Sequence, residues 1–177
     1  MEDIVVQQER FWKVIRLVPL RRTPGVYFDM VPMEFLPRID GIDRVVHGHG
    51  AVSPGQVGEV KRTWYYHPFQ EDNLLVLHGQ RTAEIYNLER KRVETFVVAP
   101  DKVTRNGEVL CEGPCMLVWP TKVFHRITSG EEGSVSLNFA VRYPGFDIDT
   151  NFSIYDLDTA TGKFTLLRSG KEEQGLR

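Results

Sequence analysis

The chain has 177 residues, 41% hydrophobic, 11% aromatic and 26% charged, which suits one globular domain with a sizeable core and excludes a disordered chain or a multidomain assembly. Twenty-two Lys and Arg against 24 Asp and Glu give a net charge of −2. With no polybasic block to neutralise a phosphate backbone or an anionic bilayer, nucleic acid and membrane surfaces are set aside as partners.

From the N-terminus, Met1-Glu2-Asp3 is acidic and Gln7-Gln8-Glu9-Arg10 interrupts the apolar stretch that follows. Neither a signal peptide nor a membrane span is predicted, and the expected address is cytoplasmic. Residues 1–10 are expected as a short helix or a loose arm. Beyond them, short runs rich in Val, Ile, Thr, Phe and Tyr predict strands over 12–17, 26–30, 45–49, 59–67, 73–77, 82–88, 93–98, 115–119, 124–129, 135–143, 153–156 and 164–167. Ser53-Pro54-Gly55, His78-Gly79, Arg105-Asn106-Gly107, 129–133 and Thr161-Gly162 punctuate them, Asn106-Gly107 being a hairpin signal. A sustained 3.6-residue period is missing, so the fold class is all-β, a sandwich or barrel forming one domain over 1–168, with 169–177 as a polar, frayed tail. Cys111 and Cys115 are too few for a four-sulfur zinc site and are expected as reduced thiols beside a turn, a redox switch being the alternative.

The histidines carry the chemistry. In Trp64-Tyr65-Tyr66-His67-Pro68, strand alternation puts Tyr65 and His67 on one face and Trp64 and Tyr66 on the other. His125 shares the apolar, inward face of Val123 and Ile127, with Arg126 opposite. An inward imidazole needs a metal, a carboxylate or a water to satisfy it. His67, Asp72 and His125 have the composition of a two-histidine, one-carboxylate metal face, with Gln70 a further candidate ligand and Tyr65 at the wall. Such a set suits Fe(II), and also zinc, manganese or nickel; hydrogen bonding without a metal is the other reading. His47-Gly48-His49 sits among glycines and is expected as a solvated or capping pair. His78 is expected as a turn residue, although strict alternation would place it with Asp72, Leu74 and Val76.

These spacings resemble the motifs of the cupin superfamily. The span from Tyr65 to Gly79 is similar to its first motif, with His67 as second histidine, Asp72 for the glutamate, Gly79 as closing glycine and Tyr65 where the first histidine stands. Gly113 leading to Pro120-Thr121-Lys122-Val123-Phe124-His125 is similar to the second, with Lys122 for its glycine. The resemblance covers about 55–143 and implies a single cupin-type double-stranded β-helix, a jelly-roll barrel whose N-terminal strands extend one sheet. It also implies at most three of the four cupin ligands. The incomplete set further resembles the sugar-nucleotide 3,5-epimerases of dehydrorhamnose synthesis, which use a barrel histidine as base and no metal.

Three functions follow as expectations. The first is a metal-dependent enzyme acting on a small molecule at His67, Asp72 and His125. The second is a metal-free isomerase or epimerase with His67 as base and Tyr65 or Tyr66 as proton donor. The third is a noncatalytic carbohydrate-binding or sensor module in which Trp64, Tyr66 and Trp119 supply the pocket. A homodimer is also expected, with the run 11–17 as a strand donated to a partner's sheet.

Overall fold

Alternating apolar and polar side chains with frequent turn residues leave the chain only strands to build with, and the computed structural model, which describes residues 5–36 and 38–173, is built that way. The strands are β1 (Val5–Gln8), β2 (Trp12–Arg16), β3 (Val18–Thr23), β4 (Val26–Met30), β5 (Gly41–His47), β6 (Val52–Ser53), β7 (Trp64–Tyr66), β8 (Gln70–Asn87), β9 (Arg92–Ala99), β10 (Lys102–Arg105), β11 (Glu108–Glu112), β12 (Cys115–Trp119), β13 (Val123–Arg142), β14 (Ile154–Leu157) and β15 (Phe164–Arg168). Two helical turns, α1 (Ile148–Asn151) and α2 (Gly170–Glu173), complete the described chain together with a 3₁₀ turn over Met33–Phe35. Among the described residues no helix is long and apolar enough to cross a membrane.

The organising feature is an antiparallel ribbon of β8 and β13, paired from Asn87–Val123 to Gln70–Arg142. It bends midway, where the register shifts between Ser129 and Ser134 and again between Val135 and Ser136. Gly79 (φ +66°) and Gly133 (φ +71°) make the bend possible, because a Cβ on Gly79 would strike the Gly133 carbonyl and one on Gly133 the His47 carbonyl. Each half of the ribbon therefore serves a different layer. One layer runs β1-β2-β12, the first half of β8, the second half of β13, then β5. The other sets β9, β10 and β11 beside the second half of β8, and β6 and β7 beside the first half of β13, with β14 and β15 following β7. This is a jelly-roll arrangement, but the expected closed barrel is corrected. The main strand order is an open path from β1 to β15, and no pairing among the described residues joins its ends.

Between the layers lies the main core, including Trp12, Leu74, Ile85, Phe96, Val98, Leu117, Trp119 and Ile127. Fully burying side chains of this size stabilises the fold by about 1.5–3 kcal/mol each. A second cluster, with Ile15, Leu36, Met116 and Val141, covers the outer face of the first layer. A third, with Trp64, Tyr86, Phe124 and Leu157, covers that of the other.

Several expectations are corrected here. The runs 73–77 and 82–88 are one strand, as are 124–129 and 135–143, because the bend keeps the ribbon paired through the glycines. Of 59–67 only Trp64–Tyr66 is strand, since Thr63 turns its hydroxyl back onto the Gly55 carbonyl. Part of the expected N-terminal arm is β1, paired along β2; residues 1–4 lie outside the described residues. The run 11–17 sits inside this chain's own sheet, between β1 and β12, rather than free for donation. β3 pairs with β4 as a separate two-stranded hairpin. Asn106 (φ 51°) and Gly107 (φ 89°) turn the hairpin of β10 and β11. Cys111 and Cys115 are joined as a disulfide across the Gly113-Pro114 turn, because the hairpin end brings the two buried sulfurs together; the expectation of free thiols is corrected. Of 169–177, the described part forms α2, whose buried Gly170 donates its N–H to Ser153 Oγ.

Candidate functional site

Three strands deliver the cluster from the inward faces of the two layers. Asp72, opposite Trp119, comes from β8 in the first layer. His125 comes from β13 in the second, paired with Tyr65 of β7, and His67 lies just past the end of β7. The nitrogen and oxygen atoms that His67, Asp72 and His125 can offer a metal lie within 4.8 Å of one another, and all three residues are buried. His67 Nε2 is 3.5 Å and His125 Nε2 3.9 Å from Asp72 Oδ2, and the imidazole centroids are 4.6 Å apart.

Hydrogen bonds behind these groups set what they present. His67 Nδ1 bonds to the backbone carbonyl of Asn151 in α1, and His125 Nδ1 faces the Val123 carbonyl at 3.4 Å. A carbonyl only accepts, so each ring donates from Nδ1 and leaves its Nε2 facing Asp72 Oδ2. Burial, and secondarily the neighbouring His67, holds His125 at a pKa of about 3 against the partial counter-effect of Asp72, so this ring is neutral throughout the physiological range. Asp72 Oδ1 accepts from Gln70 Nε2 and from Asn138 Nδ2, each at 2.8 Å, whereas Oδ2 is buried without a hydrogen-bond partner among the described residues. Asn138 also donates to Asp43 Oδ2 at 3.1 Å and accepts the Asn73 N–H through its own oxygen. The amide oxygen of Gln70 accepts from Arg142 Nε, so Gln70 holds the carboxylate from behind.

The cluster opens onto a cavity of about 330 Å³, at the lower end of the range for small-molecule sites. Tyr65 walls it, with its ring centroid 6.0 Å from that of His67 and 5.8 Å from that of His125. Burial raises the Tyr65 phenol above its ordinary value, a hydrogen bond with Ser53 opposing, so it stays protonated and able to donate. Trp119 and Phe152 add aromatic surface, 5.1 Å from His125 and 5.6 Å from His67 between centroids.

Sequence alternation puts Tyr65 and His67 on one face and His125 on the inward face, with Asp72 a candidate to join them, and the fold brings the four together. His47 is corrected: it ends β5 half-buried, lines the cavity and bonds to Ser129 Oγ at 3.0 Å. His49 is exposed and bonds to the Glu131 carbonyl. His78 is exposed because Leu77 is skipped in the pairing with Val135 and Ser136, which interrupts the alternation. Trp64 and Tyr66 face away from the cavity, in the outer aromatic cluster. Sequence reasoning missed Arg81, Asn138 and Asn151. The first two carried a signal: each is a polar residue at an inward position of an apolar strand. Asn151 acts through its backbone, which no side-chain pattern reveals.

No protein-family profile matches the chain, and no curated protein matches it in sequence. Its fold does match solved structures. A dTDP-4-dehydrorhamnose 3,5-epimerase from Bacillus anthracis, with TDP and PPi bound, is 12% identical over 83% of this chain and 82% of that one, with a TM-score of 0.57. The epimerase of Mycobacterium tuberculosis is 8% identical over 78% and 68%, with a TM-score of 0.54. A sugar 3,4-ketoisomerase from Thermoanaerobacterium thermosaccharolyticum, in complex with TDP, is 14% identical over 79% and 85%, with a TM-score of 0.52. The chain therefore has the cupin fold in the form shared by the dTDP-sugar epimerases and ketoisomerases, with a His/His/Asp cluster in its cavity.

Proposed function

We propose that the cavity holds a divalent metal ion on His67, Asp72 and His125 and that the chain is a metal-dependent enzyme acting on a small molecule bound beside it. One observation carries this reading: an Nε2 from each of two imidazoles and a carboxylate oxygen with no hydrogen-bond partner among the described residues converge, three atoms that can each offer a lone pair to one ion. A cation satisfies all three at once, and imidazole with carboxylate suits Fe, Zn, Mn or Ni. Bound there, the ion would supply Lewis acidity toward a substrate oxygen. The Asn151 and Val123 carbonyls fix the ring tautomers, Gln70 and Asn138 fix the carboxylate, and such support behind metal ligands typically contributes 10–100-fold in affinity. Tyr65 donates a proton from the wall, and Trp119 and Phe152 restrict water.

The test is metal analysis of protein purified without a histidine tag, then titrated with each ion. One ion per chain is expected, lost in His67→Ala and in His125→Ala while the circular dichroism spectrum holds. Wild-type protein that takes up no ion, or either variant that keeps it, would refute the metal.

A second reading is favoured by the names of the fold's neighbours, which are enzymes of sugar nucleotides. Here His67 is the base of a metal-free isomerase or epimerase and Tyr65 the acid; undiminished turnover of a dTDP-keto sugar after chelation would select it. The homodimer is also proposed, now on the exposed Leu20, Tyr27, Phe28 and Met30 of the β3–β4 hairpin. A sedimentation mass near 20.4 kDa at micromolar concentration would refute it.

A further inference from the structure

We propose that Arg81 binds the carboxylate of a small organic acid whose other end reaches the His67–Asp72–His125 cluster, an inference that rests on the cluster holding a divalent ion.

Arg81 occupies the inward row of β8 with Ala83 and Ile85 and is 3% exposed. Its Nε donates to Ser134 Oγ at 2.9 Å and its Nη2 to the Val45 carbonyl at 3.3 Å, while Nη1 has no hydrogen-bond partner among the described residues and the side chain lines the cavity. No carboxylate among the described residues lies within ion-pair distance of it. A buried guanidinium with only neutral partners costs several kcal/mol, a cost an anionic ligand would offset. Burial lowers its pKa to about 10, so it keeps its charge at neutral pH. His47 adds no competing charge, because burial and the Arg81 charge both hold its pKa down.

The cavity's two carboxylates, Asp43 and Asp72, are both tied to Asn138. The pair Val45–Ser136, where the guanidinium anchors, stands two residues along the sheet from the pair Asp43–Asn138. The backbone where the guanidinium anchors is thus roughly 7 Å along the strand, at ~3.3 Å per residue, from the Asn138 that holds Asp72. With a dication on the cluster, two carboxylates against one guanidinium and two metal charges leave one positive charge in excess. A monoanion fits that balance better than a phosphate dianion, and the planar guanidinium fork matches a carboxylate. A short acid carrying a keto or hydroxyl oxygen could meet both ends.

The test is calorimetric titration of zinc-loaded, tag-free protein with lactate, pyruvate and inorganic phosphate. At least one of the two acids should bind, at least tenfold more weakly to Arg81→Gln, with zinc stoichiometry unchanged. If Arg81→Gln does not fold, Arg81→Lys, which keeps the charge and loses the fork, should still lose severalfold. Equal binding by the folded variant, phosphate binding tighter than either acid, or no binding of any probe would overturn the inference. If wild-type protein takes up no zinc, the metal reading fails by itself, and the same titrations of metal-free protein decide here. Acid binding that Arg81→Gln abolishes would sustain the carboxylate site, and no binding would end it.

Discussion

Asp72→Asn should raise the stability of the metal-free protein and lower that of the metal-loaded one. In the metal-free protein Asp72 Oδ2 is buried with no hydrogen-bond partner among the described residues, 3.5 Å from His67 Nε2 and 3.9 Å from His125 Nε2. An unsatisfied buried polar atom costs about 1–3 kcal/mol, more when charged. Asparagine keeps an acceptor for Gln70 and Asn138 and places an N–H₂ donor toward His67 Nε2 or His125 Nε2, removing that cost. In EDTA the variant should therefore gain about 1–3 kcal/mol, or about 2–12 °C in Tm for a chain of this size. With zinc at a thousandfold excess over Kd the wild type gains about 4.1 kcal/mol, which the variant, lacking the anionic ligand, forgoes, so the order reverses. Urea melts with EDTA and with zinc measure both arms. A variant less stable than wild type in EDTA by more than about 1 kcal/mol would refute the argument, since Asp72 would then be paired with a charged imidazole.

The buried, neutral His125 should make the metal-free protein acid-sensitive. Its folded pKa of about 3 lies below the ordinary 6.5, so the unfolded chain takes up a proton first. Stability present above 6.5 is lost as pH falls from there toward 3, at up to roughly tenfold in the folding constant per pH unit; His125→Gln should flatten that slope, and an unchanged slope would place the acid sensitivity elsewhere. Phe124→Ala, at a fully buried ring 4.5 Å from Tyr66 and 5.1 Å from Phe164 between centroids, should cost about 3–5 kcal/mol in urea melts while leaving metal uptake at the wild-type level. Gly79→Ala should cost at least about 2 kcal/mol, from its positive φ and from the Cβ meeting the Gly133 carbonyl. Gly55→Ala, with open space around it, should stay within about 1 kcal/mol of wild type.

The sequence made the site's faces legible better than the architecture around them. Period-two alternation at Tyr65-Tyr66-His67 and at Val123-Phe124-His125 requires only that the segments be strands, and both side-chain directions hold in the fold. In the sequence the ribbon reads as four short strands because Gly79 and the 129–133 segment look like terminators. They are instead the bend, a distinction that depends on the opposing strand and so is invisible locally. Arg81 is inconspicuous in the sequence because arginine is by habit a surface residue, although its row neighbours Ala83 and Ile85 are fully buried. The cysteine bridge depends on how a hairpin end meets β12, a tertiary relation that four-residue spacing does not encode.

The length of the β8–β13 ribbon bears on how the protein reaches this state. The pair nearest in sequence is Asn87–Val123 and the farthest Gln70–Arg142, so pairing that begins at the near end closes the shorter loop and must pass the Gly79 corner before it reaches Asp72. His125 lies in the part that zips first and Asp72 in the part that zips last. The donor cluster thus comes into being only when the ribbon is complete, which leaves a partly folded chain without the three-residue set. Folding φ-values should accordingly be higher for Ile85→Val, near the first end, than for Leu74→Ala, near the last.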